Sequence, residues 1–166
     1  MAEGGDTQPR VSRFPGFRIF GYRSLERRSF MEVEILHSGD VKFEASARGH
    51  RVICDQPPTN GGSDSGMTPP EFLLVSLGTC AGFYAAQYLK ARSLPADGLR
   101  IKVTAEKASQ PARLGRFEIE VTVGELDERH REGILRAVKS CLIHNTLLNA
   151  PAIDIHLNTP AVAPTV

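Results

Sequence analysis

Two cysteines carry most of the chemistry this sequence could perform. Cys80 and Cys141 each sit in an apolar run, about sixty residues apart. A thiol becomes a useful nucleophile only as the thiolate, which needs a nearby cation, a helix N-terminus or a hydrogen-bond donor. Isolated cysteines in apolar segments ordinarily act as small hydrophobes. The redox alternative makes a geometric demand. If Cys80 attacks a peroxide it becomes a sulfenic acid, and Cys141 can condense with it only if the two Cα atoms lie roughly 4.4 to 6.8 Å apart. The third cysteine, Cys54, stands beside Asp55 on a short apolar stretch and reads as structural.

Other chemistries find less support. Cys141 and His144 form a C-x2-H pair, but no second CxxC or HxxxH supplies the three or four ligands that zinc requires, so neither a metal nor a cofactor is expected. His144 reads instead as a hydrogen-bonded residue at a helix end. A Walker A run, a GxGxxG following a strand and a GxSxG elbow are all missing, which leaves phosphate cradles and serine hydrolysis without a basis.

The elements that would hold the cysteines follow from periodicity. Met31, Val33 and Ile35 alternate with Glu32 and Glu34, and after a turn at Ser38-Gly39-Asp40 the residues Val41, Phe43, Ala45 and Ala47 alternate again. Arg48-Gly49 is the next turn, followed by a third short strand over Val52 to Cys54. The stretch 55 to 67 is a loop by composition. Thr68 can cap a helix whose first turn accepts Pro69, and that helix should run from about 69 to 92, ended by Pro95. Gly78 and Gly82 predict a kink or a close backbone contact near Cys80.

Leu99 to Ala105 and Phe117 to Val123 alternate as a long hairpin. Asp127 caps a second helix on which Ile134, Val138 and Cys141 share a face, turning Cys141 inward. Arg131, Arg136 and Lys139 fall off that face and read as solvated. Asn145 to Asn149 suggests a short helical turn, and Ile153, Ile155 and Leu157 a last strand. The order β-β-β-α-β-β-α-β, joined by hairpins, makes an α+β fold on antiparallel pairing.

With 166 residues, 41% hydrophobic, the chain can bury an ordinary single core without disulfides. A formal charge of +1 offers no field to hold nucleic acid or a membrane surface, so a small molecule or a protein is the expected partner. Residues 1–29 form a basic arm in which Arg10, Arg13, Arg18, Arg23, Arg27 and Arg28 interleave with Phe14, Phe17, Phe20 and Tyr22. A solvated or wrapped arm is preferred there over a nucleic-acid contact. The domain should span 30–159, with a loose tail at 160–166. Acids and glycine precede any apolar run at the N-terminus, so no signal peptide is read and a cytoplasmic location with reduced thiols is expected. Residues 72 to 89 carry no charge, but polar Ser76, Thr79 and Gln87 and two glycines favour an enclosed helix over a membrane span.

Gly61-Gly62, Met67-Thr68-Pro69-Pro70-Glu71-Phe72-Leu73-Leu74, Leu77-Gly78-Thr79-Cys80 and Cys141-Leu142-Ile143-His144-Asn145-Thr146-Leu147 resemble the OsmC/Ohr superfamily over about residues 31 to 157. The resemblance implies an intertwined homodimer with antiparallel sheets wrapped around two central helices and two symmetric sites at the interface. It also implies thiol-dependent reduction of organic hydroperoxides in oxidative-stress defence. Cys80 then matches the peroxidatic cysteine and Cys141 the resolving one, reset by an external dithiol. The substrate would be apolar, walled by Phe72, Phe83 and Leu147; a small apolar ligand bound without peroxide chemistry is the alternative. The family's catalytic glutamate lies ten residues before the first cysteine; here Pro70 holds that place, and Glu71, nine before, is the residue the resemblance offers for the role. No arginine falls where the family's Gly-Gly-Arg stretch would put one, since Gly39 stands there.

Overall fold

The computed structural model describes residues 30–159; the expected arm over 1–29 and tail over 160–166 lie outside the described residues. The chain divides into a unit Met1–Glu32, whose described residues 30–32 have no regular structure, and a unit Val33–Val166, which holds everything below.

Three short strands, β1 (Glu34–His37), β2 (Phe43–Ala47) and β3 (His50–Cys54), form an antiparallel meander. Its turns fall at the expected residues, with positive φ at Gly39, Asp40, Arg48 and Gly49. The register sets Ile35 opposite Ala45 opposite Val52, and His37 opposite Phe43 opposite Cys54. Residues paired directly share a face, so one side of the sheet is apolar. The other side carries Glu44 and Arg51, which form an ion pair at 2.8 Å. No residue of this sheet is buried.

The loop after β3 is wound around one carboxylate. Asp55, only 1% exposed, accepts Gln56 N–H on Oδ1 and, on Oδ2, the N–H and hydroxyl of both Ser63 and Ser65. The Ser65 amide and hydroxyl first, then the Gln56 amide and the Ser63 hydroxyl, hold its carboxyl far below the usual carboxylate range against the opposing effect of burial. A side chain at Gly62 would run into the Gln56 carbonyl, so only glycine lets the loop close over Asp55.

Helix α1 (Pro69–Lys90) opens on a capping box between Thr68 and Glu71, with prolines in its first turn. It ends at Lys90, ahead of Pro95, because a tight turn carrying the Leu94 amide back to the Leu89 carbonyl closes it first. Leu77, Ala81, Ala85 and Leu89, spaced by four, are its buried face. The hairpin β4 (Arg100–Ser109) and β5 (Ala112–Thr122) lays Ile101, Val103 and Ala105 opposite Val121, Ile119 and Phe117. This apolar face rests on α1 at the two glycines: a Cβ on Gly78 would meet Val103 at 2.9 Å, and one on Gly82 would meet Ile101 at 3.2 Å. The expected close contact is therefore a sheet seated against the helix.

Helix α2 (Glu128–Lys139) is capped by Asp127, which accepts the His130 amide at 2.8 Å, and buries Ile134 and Val138 against α1. α1 and α2 approach closely at Gly133, where a side chain would strike the Tyr88 ring. A short helix, α3 (Leu142–Leu148), follows at once and packs on α1. It replaces the expected turn over 145 to 149. Residues 151 to 159 form no strand, contrary to the alternation of Ile153, Ile155 and Leu157; these side chains are exposed and among the described residues no strand pairs with them. Among the described residues one helix, Pro69–Lys90, is long and apolar enough to cross a membrane, and it packs against β4, α2 and α3 as a core helix does.

Candidate functional site

Cys80 lies in the middle of α1, half-buried, one residue before the buried Ala81. With Gly78 and Gly82 against the hairpin, Cys80 is turned to the other side of the helix, 200° from Gly78 at 100° per residue. Cys141 is not on α2, as the spacing with Ile134 and Val138 suggested. α2 stops at Lys139 because Ser140 and Cys141 turn their amides back to Ala137 and Val138, and Cys141 then adopts an extended backbone as the N-cap of α3. It points inward all the same and is 1% exposed.

The Cys80 thiol lies close enough to Cys141 to influence its ionisation. Burial pushes the Cys141 thiol up from its ordinary value, and a hydrogen bond and charge from Cys80 push it further. The amides of His144 and Ile143 act in the opposite sense, and the Cys141 sulfur accepts the His144 N–H at 3.5 Å. A thiol at this place is therefore poised between a dry environment that favours S–H and backbone donors that would receive S⁻. Cys54, on β3, is the remaining free cysteine among the described residues and is half-buried.

Glu71 is committed elsewhere. Its Oε2 accepts the Thr68 N–H at 2.7 Å and the Thr68 hydroxyl at 2.8 Å, and the Thr68 amide chiefly holds its pKa low. As the third residue of α1 it faces the helix start, which is the work of a capping box. Among the described residues no three His, Cys, Asp or Glu side chains gather as a metal site.

The apolar walls differ from expectation in part. A concavity of about 680 Å³ is bounded by α1, β5, α2 and α3, with Leu73, Leu77, Phe117, Val138 and Leu147 among its lining residues. Phe72 and Phe83 do not line it, and Phe83 is 57% exposed. His144, expected to be hydrogen-bonded at a helix end, sits in the first turn of α3, lines this concavity and has a buried Nδ1 without a partner. Nothing in the sequence pattern singled out Asp55 as the anchor of the preceding loop; two serines eight and ten residues downstream were the available signal.

A long central helix packed on a hairpin and two shorter helices, with a thiol on that helix near a thiol that caps the last one, defines an α+β protein with paired thiols. The family model described as OsmC-like protein matches residues 62–156, and the chain belongs to that family. No curated protein matches. Among solved structures, the chain is similar to a protein of Psychrobacter arcticus named for an osmotic stress induced and detoxification response, with TM-score 0.66 and 21% identity over 74% of this chain and 91% of that one. An OsmC like protein from Mycoplasma pneumoniae gives TM-score 0.63 and 20% identity, over 74% and 90%. An organic hydroperoxide resistance protein OsmC from Legionella pneumophila gives TM-score 0.53 and 12% identity, over 74% and 91%. At such identities the likeness is one of fold.

Proposed function

We propose that the protein is a cytoplasmic, homodimeric, thiol-dependent reductase of small apolar hydroperoxides. The observation that carries this reading is the proximity of the Cys80 and Cys141 thiols, one half-buried and reachable, the other enclosed. The Cys80 thiolate attacks the outer peroxide oxygen and the O–O bond breaks. The alcohol leaves with a proton, and Cys80 holds the sulfenic acid. The Cys141 thiol attacks that sulfur, losing its proton as water departs, and a disulfide forms. An external dithiol reduces it by two exchanges and is itself oxidised to a disulfide. A named relative supports the substrate class: the Legionella pneumophila protein is called an organic hydroperoxide resistance protein.

Homodimerisation is supported by surfaces that lack cover. The apolar face of the β1–β3 sheet leaves Ile35, Phe43 and Val52 exposed, and Val75 and Phe83 form an exposed apolar line along α1. Large exposed apolar side chains on two elements are the kind of surface a second copy would cover symmetrically.

One observation favours a second reading, a fold that binds an apolar ligand without efficient peroxide chemistry. Glu71 is spent on the helix cap, and Pro70 occupies the place of the family glutamate. The two readings separate in a turnover assay with cumene hydroperoxide and a small dithiol. Turnover lost in both Cys80→Ser and Cys141→Ser supports the reductase, whereas ligand binding with no hydroperoxide consumed by the wild type would leave only the binder.

A further inference from the structure

Cys141 has two tasks that cannot both be met after oxidation. Its sulfur faces Cys80, and the same sulfur is the side-chain cap of α3, accepting the His144 amide at 3.5 Å. α3 has seven residues and buries none of them, so little besides its cap and its packing on α1 holds it. A helix this short is marginal by itself. Its first-turn amides have no carbonyl four residues back, and the sulfur is the side-chain acceptor they are given. We infer that α3 is a redox-sensitive latch: the Cys80–Cys141 disulfide withdraws the cap and loosens the helix.

The inference rests on the proposed two-cysteine chemistry and concerns how that site resets. In the disulfide the sulfurs must close to about 2.05 Å, so the Cys141 side chain turns toward α1. The sulfur is drawn away from a cap that already spans 3.5 Å, and the negative charge that the His144 and Ile143 amides would receive can no longer form. Those amides keep only a displaced, weaker acceptor and α3 frays from its first turn. The consequence is functional. Cys141 is 1% exposed, so with α3 closed an external dithiol reaches the bond only from its half-buried Cys80 end. Fraying of α3, whose His144, Leu147 and Leu148 line the 680 Å³ concavity, opens a path to the Cys141 sulfur as well, in the oxidised state alone. The reduced state re-forms the cap and closes it.

Hydrogen exchange of peptides covering 142–149 tests this on the full chain. Four forms are compared: reduced wild type, wild type oxidised with diamide, Cys141→Ala and Cys141→Ser. Diamide makes the disulfide whatever the reactivity toward peroxide, so failure of the hydroperoxide reading shows separately, as thiols that survive cumene hydroperoxide. Exchange in α3 is expected to rise about fivefold in the oxidised wild type and in Cys141→Ala, the size of losing an ordinary N-cap. Cys141→Ser, which restores a capping oxygen, should stay near the reduced wild type, and amides around Ile134 in α2 should not change. Equal α3 protection in oxidised and reduced protein, an Ala variant as protected as the wild type, or a disulfide that diamide cannot form would each overturn the latch.

Discussion

The enclosed position of Cys141 governs its ionisation. Burial comes first and raises its pKa, the Cys80 thiol adds to this, and the two amides of α3 only partly offset them. The thiol form therefore persists above its ordinary value of 9.0, and any stability tied to that form is present below that pH and is lost as pH rises through the folded value. In a Cys54→Ser background, alkylation of Cys141 followed by peptide mass should titrate later than an ordinary thiol. Cys80→Ala should move that midpoint down, because it removes the second cause. A midpoint at or below the ordinary value would contradict the geometry.

At the scale of elements, the Asp55 loop is the joint between β3 and α1, and its order depends on a charge. The depressed carboxyl stabilises the fold fully above about 3.8, its unfolded value, and this contribution is lost as pH falls below that toward the folded value. Asp55→Asn keeps the size but turns an amide group toward donors already facing inward. It should lower the melting midpoint by about 5 °C at neutral pH. The gap to wild type should narrow between about pH 5 and about pH 2 as the wild-type carboxylate protonates; a gap independent of pH would mean that shape, not charge, holds the loop.

Strands, hairpins, the Thr68 cap and the Asp127 cap could all be read from alternation and capping residues, because those signals are local. Cys141 and the last segment could not be read correctly. The 134, 138, 141 spacing is helical, yet the chain breaks at Ser140 and Cys141 and starts a new helix, and so short a break does not disturb an apolar periodicity. Ile153, Ile155 and Leu157 have strand alternation, but a strand needs a neighbour, and alternation does not say whether one is present. Glu71 was assigned to the thiol by resemblance, although the Thr-x-x-Glu spacing already described a capping box.

For the whole molecule, the uncovered faces of the first sheet and of α1 lead to one expectation about assembly. The purified protein should sediment at twice its chain mass, and Phe83→Glu, which puts a charge on the exposed line of α1, should shift it to monomer or aggregate. A wild type that sediments as a monomer at micromolar concentration would remove the assembly from the account.

The account depends most on the two sulfurs acting as a pair. Reduced protein treated with one equivalent of cumene hydroperoxide, quenched by alkylation and digested, should yield a peptide joining Cys80 to Cys141, with Cys54 alkylated in full. Recovery of Cys80 and Cys141 both alkylated under excess hydroperoxide, or of Cys80 joined only to Cys54, would contradict it.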